Sequence, residues 1–476
     1  MFNFDYSYLS LPKNFYSLTK PHLNSSSKVL LLNEQICHEL NLKIYNKDKL
    51  ISFLFSKNNC KKSYAQAYAG HQFGYFTNLG DGRAIIIGEH NTGQNKYFDI
   101  QLKGSGITKF SRNGDGKATL ESMLKEYLIS EAMYYLNISS SRSLAVIKTG
   151  ETILRRLKED GSILVRSMKS HIRVGTFEYA RYFGSQDDLR KITSYSINRL
   201  YPQISNCVNP ALALLDVVMQ KQIDLVVDWM RVGFIHGVMN TDNTSISGES
   251  FDYGPCAFIN TYNPMTVYSS IDHNGRYAFG NQPKMIKWNI LRFAESLLPI
   301  IHINEEKAVQ LAESVIKKFD EIWKKKYYFM MFRKIGFDTN DIKLFPLIDE
   351  LLLLMKNLKM DYTTTFSLLS HDNLHKNQII NHTDFINWQK KWTTFFKSKK
   401  KIREAKYLMR KNNPLFIPRN HLVDKAIKSA VSGDMGFINK LLVILSKPYE
   451  YQDGVEKFMK PPSKNFEESF QTFCGT

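Results

Sequence analysis

The 476-residue sequence predicts an α+β fold of two lobes, strand-rich first and helical second, with an extension at either end. Three observations carry this. Ala84–Ile87, Tyr97–Lys103, Ser143–Ile147 and Ser162–Met168 read as strands, bounded by turn residues. From about Asp187 the apolar spacing turns helical, over Asp187–Arg199, Ala211–Phe234 and, dominantly, Trp288 to Lys447 with an interruption at Asn413–Asn420. Between the helical stretches lie the loop His236-Gly-Val-Met-Asn-Thr-Asp-Asn243 and, nine residues on, Asp252-Tyr-Gly254. At roughly 150 residues per domain the length suggests two or three lobes. We divide the chain into an N-terminal extension (1–60), a first lobe with nucleotide-binding loops (61–180), a helical second lobe (181–330) and a helical C-terminal extension with a mobile tail (331–476).

Residues 1–60 hold one short helical pattern, Ser27 to Leu40. Tyr64 to Gly74 is dense in small residues and runs into Asn78-Leu-Gly-Asp-Gly-Arg83. Gly80 and Gly82 let backbone N–H groups approach a phosphate, and Arg83 adds a fork suited to its oxygens. A Gly-x-Gly is more often a plain turn, but here two strands follow, joined by an Asn91-Thr-Gly93 turn. In the second strand Phe98, Ile100 and Leu102 alternate with Asp99, Gln101 and Lys103, so Lys103 faces away from the apolar side. Lys117–Leu136 has helical spacing, with Glu126 on a side shared with Met123, Ile129 and Met133. A carboxylate there wants a cation; Lys103 is the candidate partner, and a plain surface glutamate is the alternative. Gly104-Ser-Gly106 and Ser111-Arg-Asn-Gly-Asp-Gly116 make a second glycine-rich region, and Arg166 and Arg173 add two further cations.

A glycine loop, a strand, a turn, a strand ending in Lys and a helix bearing Glu is the order of a protein-kinase N-lobe. Kinases also carry H-R-D-L-x-x-x-N and then D-F-G, with the first Asp as base and the Asn and second Asp on magnesium. His236, Asn243 and Asp252 fall in that register, but Val238 stands where the base should be. Such a half-site belongs to a dead kinase or to a nucleotide enzyme doing different chemistry. Asp242, beside Asn243, keeps the second option open.

Hydrophobic content of 43% with 23% charged residues is ordinary for a soluble protein. No run nears the ~20 apolar residues of a membrane span, and Met1 to Lys20 has no export or transit pattern, so a cytoplasmic protein is expected. The net charge of +19 reads as compositional bias more than as a polyanion-binding face. No aromatic-and-basic patch calls for specific nucleic-acid binding. The five cysteines never form C-x-x-C, indicating neither a zinc site nor a disulfide framework. His371 and His375 have the i, i+4 spacing of a zinc motif, but Asp372 and Asn373 read as a turn. Asp272 and His273 could be catalytic, although a turn is the plainer reading.

Tyr64–Gly74, Gly80–Glu89, Gln101–Gly106, Arg166, His171–Phe177 and Asp228–Cys256 together resemble the selenoprotein O family, whose bacterial members mostly lack selenocysteine. The resemblance runs from about residue 5 to the C-terminus. It implies a protein-kinase-like fold in which ATP binds flipped and AMP passes to Ser, Thr or Tyr hydroxyls of proteins, with Mg2+ or Mn2+. Carried over by position, nucleotide contacts fall on Gly80, Gly82, Arg83, Lys103, Asp115, Gly116, Arg166, Arg173 and Asp252. The implied proton acceptor is Asp242, and the implied metal ligands are Asn243 and Asp252. Glu126 matches the glutamate that pairs with the lysine. Cys474 occupies the selenocysteine position of other members, with Gln471 where their C-x-x-U motif has Cys. UTP as donor and a non-catalytic nucleotide-binding regulator stand as alternatives.

Overall fold

The computed structural model describes residues 2–44, 46–93, 96–371 and 381–473. Cys474, His375 and the turn expected at Asp372 and Asn373 lie outside them.

In chain order the first lobe comprises β1 (Phe4–Asp5), β2 (Tyr16–Leu18), β3 (Lys28–Leu32), α1 (Glu34–Glu39), α2 (Lys47–Leu54), α3 (Lys57–Cys60), β4 (Tyr64–Gln66), β5 (Ala69–Gln72), β6 (Tyr75–Asn78), β7 (Ala84–Asn91), β8 (Tyr97–Lys103), β9 (Ala118–Thr119), α4 (Leu120–Tyr135), β10 (Arg142–Leu154) and β11 (Lys158–Met168). Nine strands form one sheet whose main path runs β2-β4-β7-β8-β11-β10-β3, while β5 and β6 form a separate hairpin. Antiparallel register sets Lys103 opposite Leu164 and Gln101 opposite Arg166. Cross-strand partners share a face, so Lys103, Gln101 and Arg166 project from the same side. Ile100 and Leu102 project from the other, into a core with Ile163, Val165 and residues of α1 and α2.

The stretch Ser27–Leu40, expected to be helical, is a strand and then a helix. Leu32 and Lys28 pair with Ala145 and Lys148 at the sheet edge, and Asn33 starts α1 by accepting from Ile36 N at 3.2 Å. A run such as Val-Leu-Leu-Leu fits either period, and sheet pairing decides it.

The second lobe contains α5 (Val174–Phe183), α6 (Gln186–Leu200), α7 (Pro210–Val232), β12 (Phe234–Ile235), β13 (Ala257–Phe258) and α8 (Gln282–Ile301). Asn209 caps α7 by accepting from Leu212 N at 3.1 Å. Gly233 ends it at φ 78°, a left-handed value that glycine takes without penalty, so the chain turns straight into β12 and the His236 loop. Helices continue as α9 (Glu305–Ile316), α10 (Phe319–Lys334), α11 (Phe345–Asn357), α12 (Tyr362–Ser370), α13 (Thr383–Thr394), α14 (Lys399–Asn412), α15 (Asn420–Val431), α16 (Gly436–Leu445) and α17 (Lys464–Ser469). One apolar core runs from α4 through α7 and α8 into α16. Buried Arg419 fastens the last helices to the second lobe by a two-pronged pair with Asp361 at 2.7 and 2.9 Å and a bond to Asn260 at 2.8 Å. The whole is the α+β, kinase-like arrangement expected.

Candidate active site

Between the sheet and the His236 loop four charged side chains converge. Lys103 Nζ donates to Glu126 Oε2 at 2.7 Å and also to Asp252 Oδ1. Arg166 Nη1 donates to Glu126 Oε1 at 2.9 Å and to Asp252 Oδ1 at 2.7 Å, and its Nη2 reaches Gln101. Strand register places the two cations side by side, and α4 supplies Glu126, so the lysine–glutamate pairing expected from periodicity is present. Asp252 has φ 60°, a conformation that Asp tolerates better than most residues and that turns its carboxylate into the cluster. Burial would raise its pKa, but Arg166, Lys103 and Arg173 outweigh burial and hold the carboxyl well below the usual range.

Asp242 sits in a 3-10 turn, Thr241–Asn243, against the hairpin. Gln72 Nε2 donates to its Oδ2 at 3.4 Å, while Oδ1 is buried without a hydrogen-bond partner. Burial pushes its pKa up to about 6 despite the opposing charge of Arg173. Arg173 Nη1 donates to the Asp242 carbonyl at 3.2 Å, and its guanidinium lies 4.0 Å from the Tyr68 ring centroid. Asn243 Nδ2 donates to the Val238 carbonyl at 3.0 Å, which fixes the amide and leaves Oδ1 as the atom it can offer.

The first glycine-rich turn is pinned by Asp81. The Asp81 carboxylate accepts from Gln66 N at 3.1 Å and lies 3.6 Å from Arg173 Nη2. Gly80, at φ 136°, packs so close to Phe110 that a Cβ would meet its ring at 2.4 Å. Thr108 Oγ1 donates to the Asp81 carbonyl at 2.6 Å and Ser111 Oγ to that of Gly82, so the two glycine-rich loops form adjoining layers. Arg83 follows, its carbonyl accepting from Gly104 N at 2.6 Å. Gly116 accepts from Gly106 N at 3.1 Å within the second loop. Asp115 stands apart from the ion cluster, held by Arg155 at 2.8 and 2.9 Å, which keeps its carboxyl below the usual value.

The hairpin is bound to the same loop. His71 N donates to Thr241 Oγ1 at 2.7 Å and Phe73 N to Asn240 Oδ1 at 3.2 Å. Thr241 in turn donates to Glu178 Oε2 at 2.5 Å, and His71 Nδ1 lies 2.5 Å from Glu178 Oε1. Gln72, Asp81 and Glu178 were not singled out in the sequence. Glu178 had the signal used for Glu126, a carboxylate among apolar helical residues; Gln72 had none. Asp272 closes a turn, accepting from Arg276 N and Tyr277 N, both at 2.8 Å.

Comparison with known proteins decides the relationship. A family model described as "Protein adenylyltransferase SelO" matches residues 1–446. The chain belongs to the SelO family. It is 48% identical to "Protein nucleotidyltransferase YdiU" of Pelagibacter ubique (strain HTCC1062), covering 100% of this chain and 99% of the relative. Proteins of the same name from Clostridium perfringens (strain SM101 / Type A) and Bacillus cereus (strain AH820) are 45% and 46% identical, each over 100% of this chain and 98% of the relative. For a SelO-family chain the activity class is nucleotidyl transfer. No helix among the described residues is long and apolar enough to cross a membrane.

Proposed function

We propose that this SelO-family chain is a protein adenylyltransferase that moves AMP from ATP to Ser, Thr or Tyr hydroxyls of other proteins and releases pyrophosphate. The carboxylate of Asp242 carries the reading: it is buried, raised to about 6 and free at Oδ1, beside the guanidinium of Arg173. A base poised near the working pH is what proton abstraction from a hydroxyl requires. A non-catalytic regulator has no use for it. The description of the matched family names adenylyl transfer, which favours ATP over UTP as the donor. A cytoplasmic setting belongs to the same proposal.

In this reading Lys103, Arg166 and Arg173 receive the phosphates, with Arg83 and the backbones of Gly80, Gly82 and Gly116 around them and Asp115 bracing the second loop. Asn243 and Asp252 would hold Mg2+ or Mn2+, because an amide oxygen and a carboxylate are hard donors. The cation would neutralise charge gathering on the phosphates. Asp242 Oδ1 takes the acceptor hydroxyl's proton; the hydroxyl oxygen bonds to the α-phosphorus; the bond from that phosphorus to the bridging oxygen breaks, and pyrophosphate leaves with the electron pair.

The test is transfer of label from ATP marked at the α- or the γ-phosphate, with UTP in parallel and each metal separately. Label from the α position on protein is expected. Label from the γ position overturns the reading, and label from UTP alone reassigns the donor.

A further inference from the structure

Close to Asp242, the surface carries aromatic side chains that the chemistry above does not use. Tyr75 and Phe76 on β6 are 79% and 39% exposed, and Tyr182 and Phe183 at the end of α5 are 56% and 48% exposed. All but Tyr75, which alternation turns to the other face, are contiguous: the Phe76 ring centroid lies 4.9 Å from that of Tyr182 and 5.1 Å from the His71 ring. His71 meets Trp288 edge-on at 5.2 Å. At that end Arg276 stacks over Trp288 at 4.9 Å. Its Nε is buried without a hydrogen-bond partner, its guanidinium bonds the Tyr277 hydroxyl, and among the described residues its side chain forms no ion pair with a carboxylate.

Contiguous exposed apolar surface marks an interaction site, and Tyr, Trp and Arg are the residues that most often dominate binding energy. The hairpin also offers backbone. His71 N is bonded to Thr241, away from β6, so the His71–Phe76 pair is of the non-hydrogen-bonded kind. The N–H and C=O of Phe76 therefore face outward, as an extended chain adding to a sheet edge requires.

We propose that this aromatic stripe, closed at one end by Arg276, is the docking surface for the acceptor polypeptide, and that it selects an extended segment with an acidic residue and an aromatic or aliphatic one flanking the modified hydroxyl. The occupant is argued from place and charge. Gly70 and Gln72 on the inner strand of the same hairpin face Asp242, whereas His71 and Phe76 project from its opposite face, so a segment paired along β6, two strand spacings or about 10 Å from the inner strand, would lay alternate side chains on the aromatic stripe and on the face that bears the base. Arg276, without a carboxylate partner among the described residues, supplies the cation that a carboxylate would complement. The proposal rests on Asp242 serving transfer to a polypeptide.

The probe is a set of ten-residue peptides randomised around a fixed Ser, Thr or Tyr, incubated with magnesium and α-labelled ATP or UTP. Wild type should enrich Asp or Glu and an aromatic or aliphatic neighbour, and Arg276→Glu should exchange the acidic preference for Lys or Arg. The double variant Phe76→Ala/Tyr182→Ala should lose roughly tenfold in kcat/KM on the best peptide, with the Kd for the nucleotide within about twofold of wild type in both variants. Unchanged flanking preference in Arg276→Glu, unchanged kcat/KM in the double variant, or a nucleotide Kd that moves in step with the lost labelling overturns the docking surface alone. Wild type that binds nucleotide yet labels no peptide and no protein overturns the transferase reading, and this surface with it.

Discussion

A β-carbon on Gly70 would stand 2.6 Å from Oδ1 of Asp242 and 2.9 Å from its Cβ. Glycine at this point of β5 is what lets the proposed base lie against the hairpin. Gly70→Ala should therefore displace the carboxylate and cut transfer about 10²-fold, the scale of a 1 Å misplacement, with little change in ATP affinity. Single-turnover labelling beside calorimetric titration reads both; full activity would remove Asp242 from the mechanism.

Asp242→Asn should transfer ~10²–10⁴-fold more slowly and yet be the more stable protein at neutral pH. Burial raises the folded pKa to about 6, above the ~3.9 of an unfolded aspartate, so the native state binds the proton more tightly. The stability this group contributes is complete below about pH 4 and is lost as pH rises to about 6. Asparagine does not ionise, so the variant should gain up to about 3 kcal/mol at pH 7.5 and nothing at pH 4. Urea unfolding at the two pH values measures the difference, and equal stabilities at pH 7.5 would contradict it.

The same titration should shape the rate. Because the ionised carboxylate is the base, kcat/KM in wild type should fall as pH drops through about 6. The residual rate of Asp242→Asn should lack that limb. A wild-type profile flat down to pH 5 would assign the proton to another group.

Arg166→Met should unfold more readily than Lys103→Met. Arg166 is buried and bonded to Glu126, Asp252 and Gln101, so its loss leaves Lys103 to serve both carboxylates and takes the donor from buried Gln101 Oε1, at a cost of about 1–3 kcal/mol. In Lys103→Met, Arg166 still pairs with both carboxylates, so the main loss should be nucleotide use. Denaturant midpoints and ATP titrations of the two variants separate these effects, and equal destabilisation would deny Arg166 its bridging role.

The sheet and its polar face are legible because β8 alternates strictly: Ile100 and Leu102 announce one side, and Gln101 and Lys103 the other. The pairing of Lys103 with Glu126 is legible only as one of two options, because the periods of strand and helix leave a plain surface glutamate equally open. The hairpin Ala69–Asn78 is not. Its glycines weaken any strand signal, and Thr241 and Asn240, some 170 residues later, hold it in place. The environment of Asp242 escapes for the same reason, since Gln72 reaches it from the hairpin and Arg173 from the N-cap of α5, while Glu178 on α5 holds the neighbouring Thr241. The expected helix at Ser27–Leu40 fails because an edge of the sheet was waiting for Val29 and Leu31.

The first thirty-two residues supply β2 and β3, the two ends of the main sheet path. Cutting them away would uncover β4 on one side and β10 on the other, two rows of unpaired backbone groups on a single molecule. A shortened chain would then be bifunctional toward itself, able to accept a neighbour at each flank, and would be expected to polymerise before it could be assayed. For this protein, an expression boundary placed near residue 60 would be a recipe for inclusion bodies.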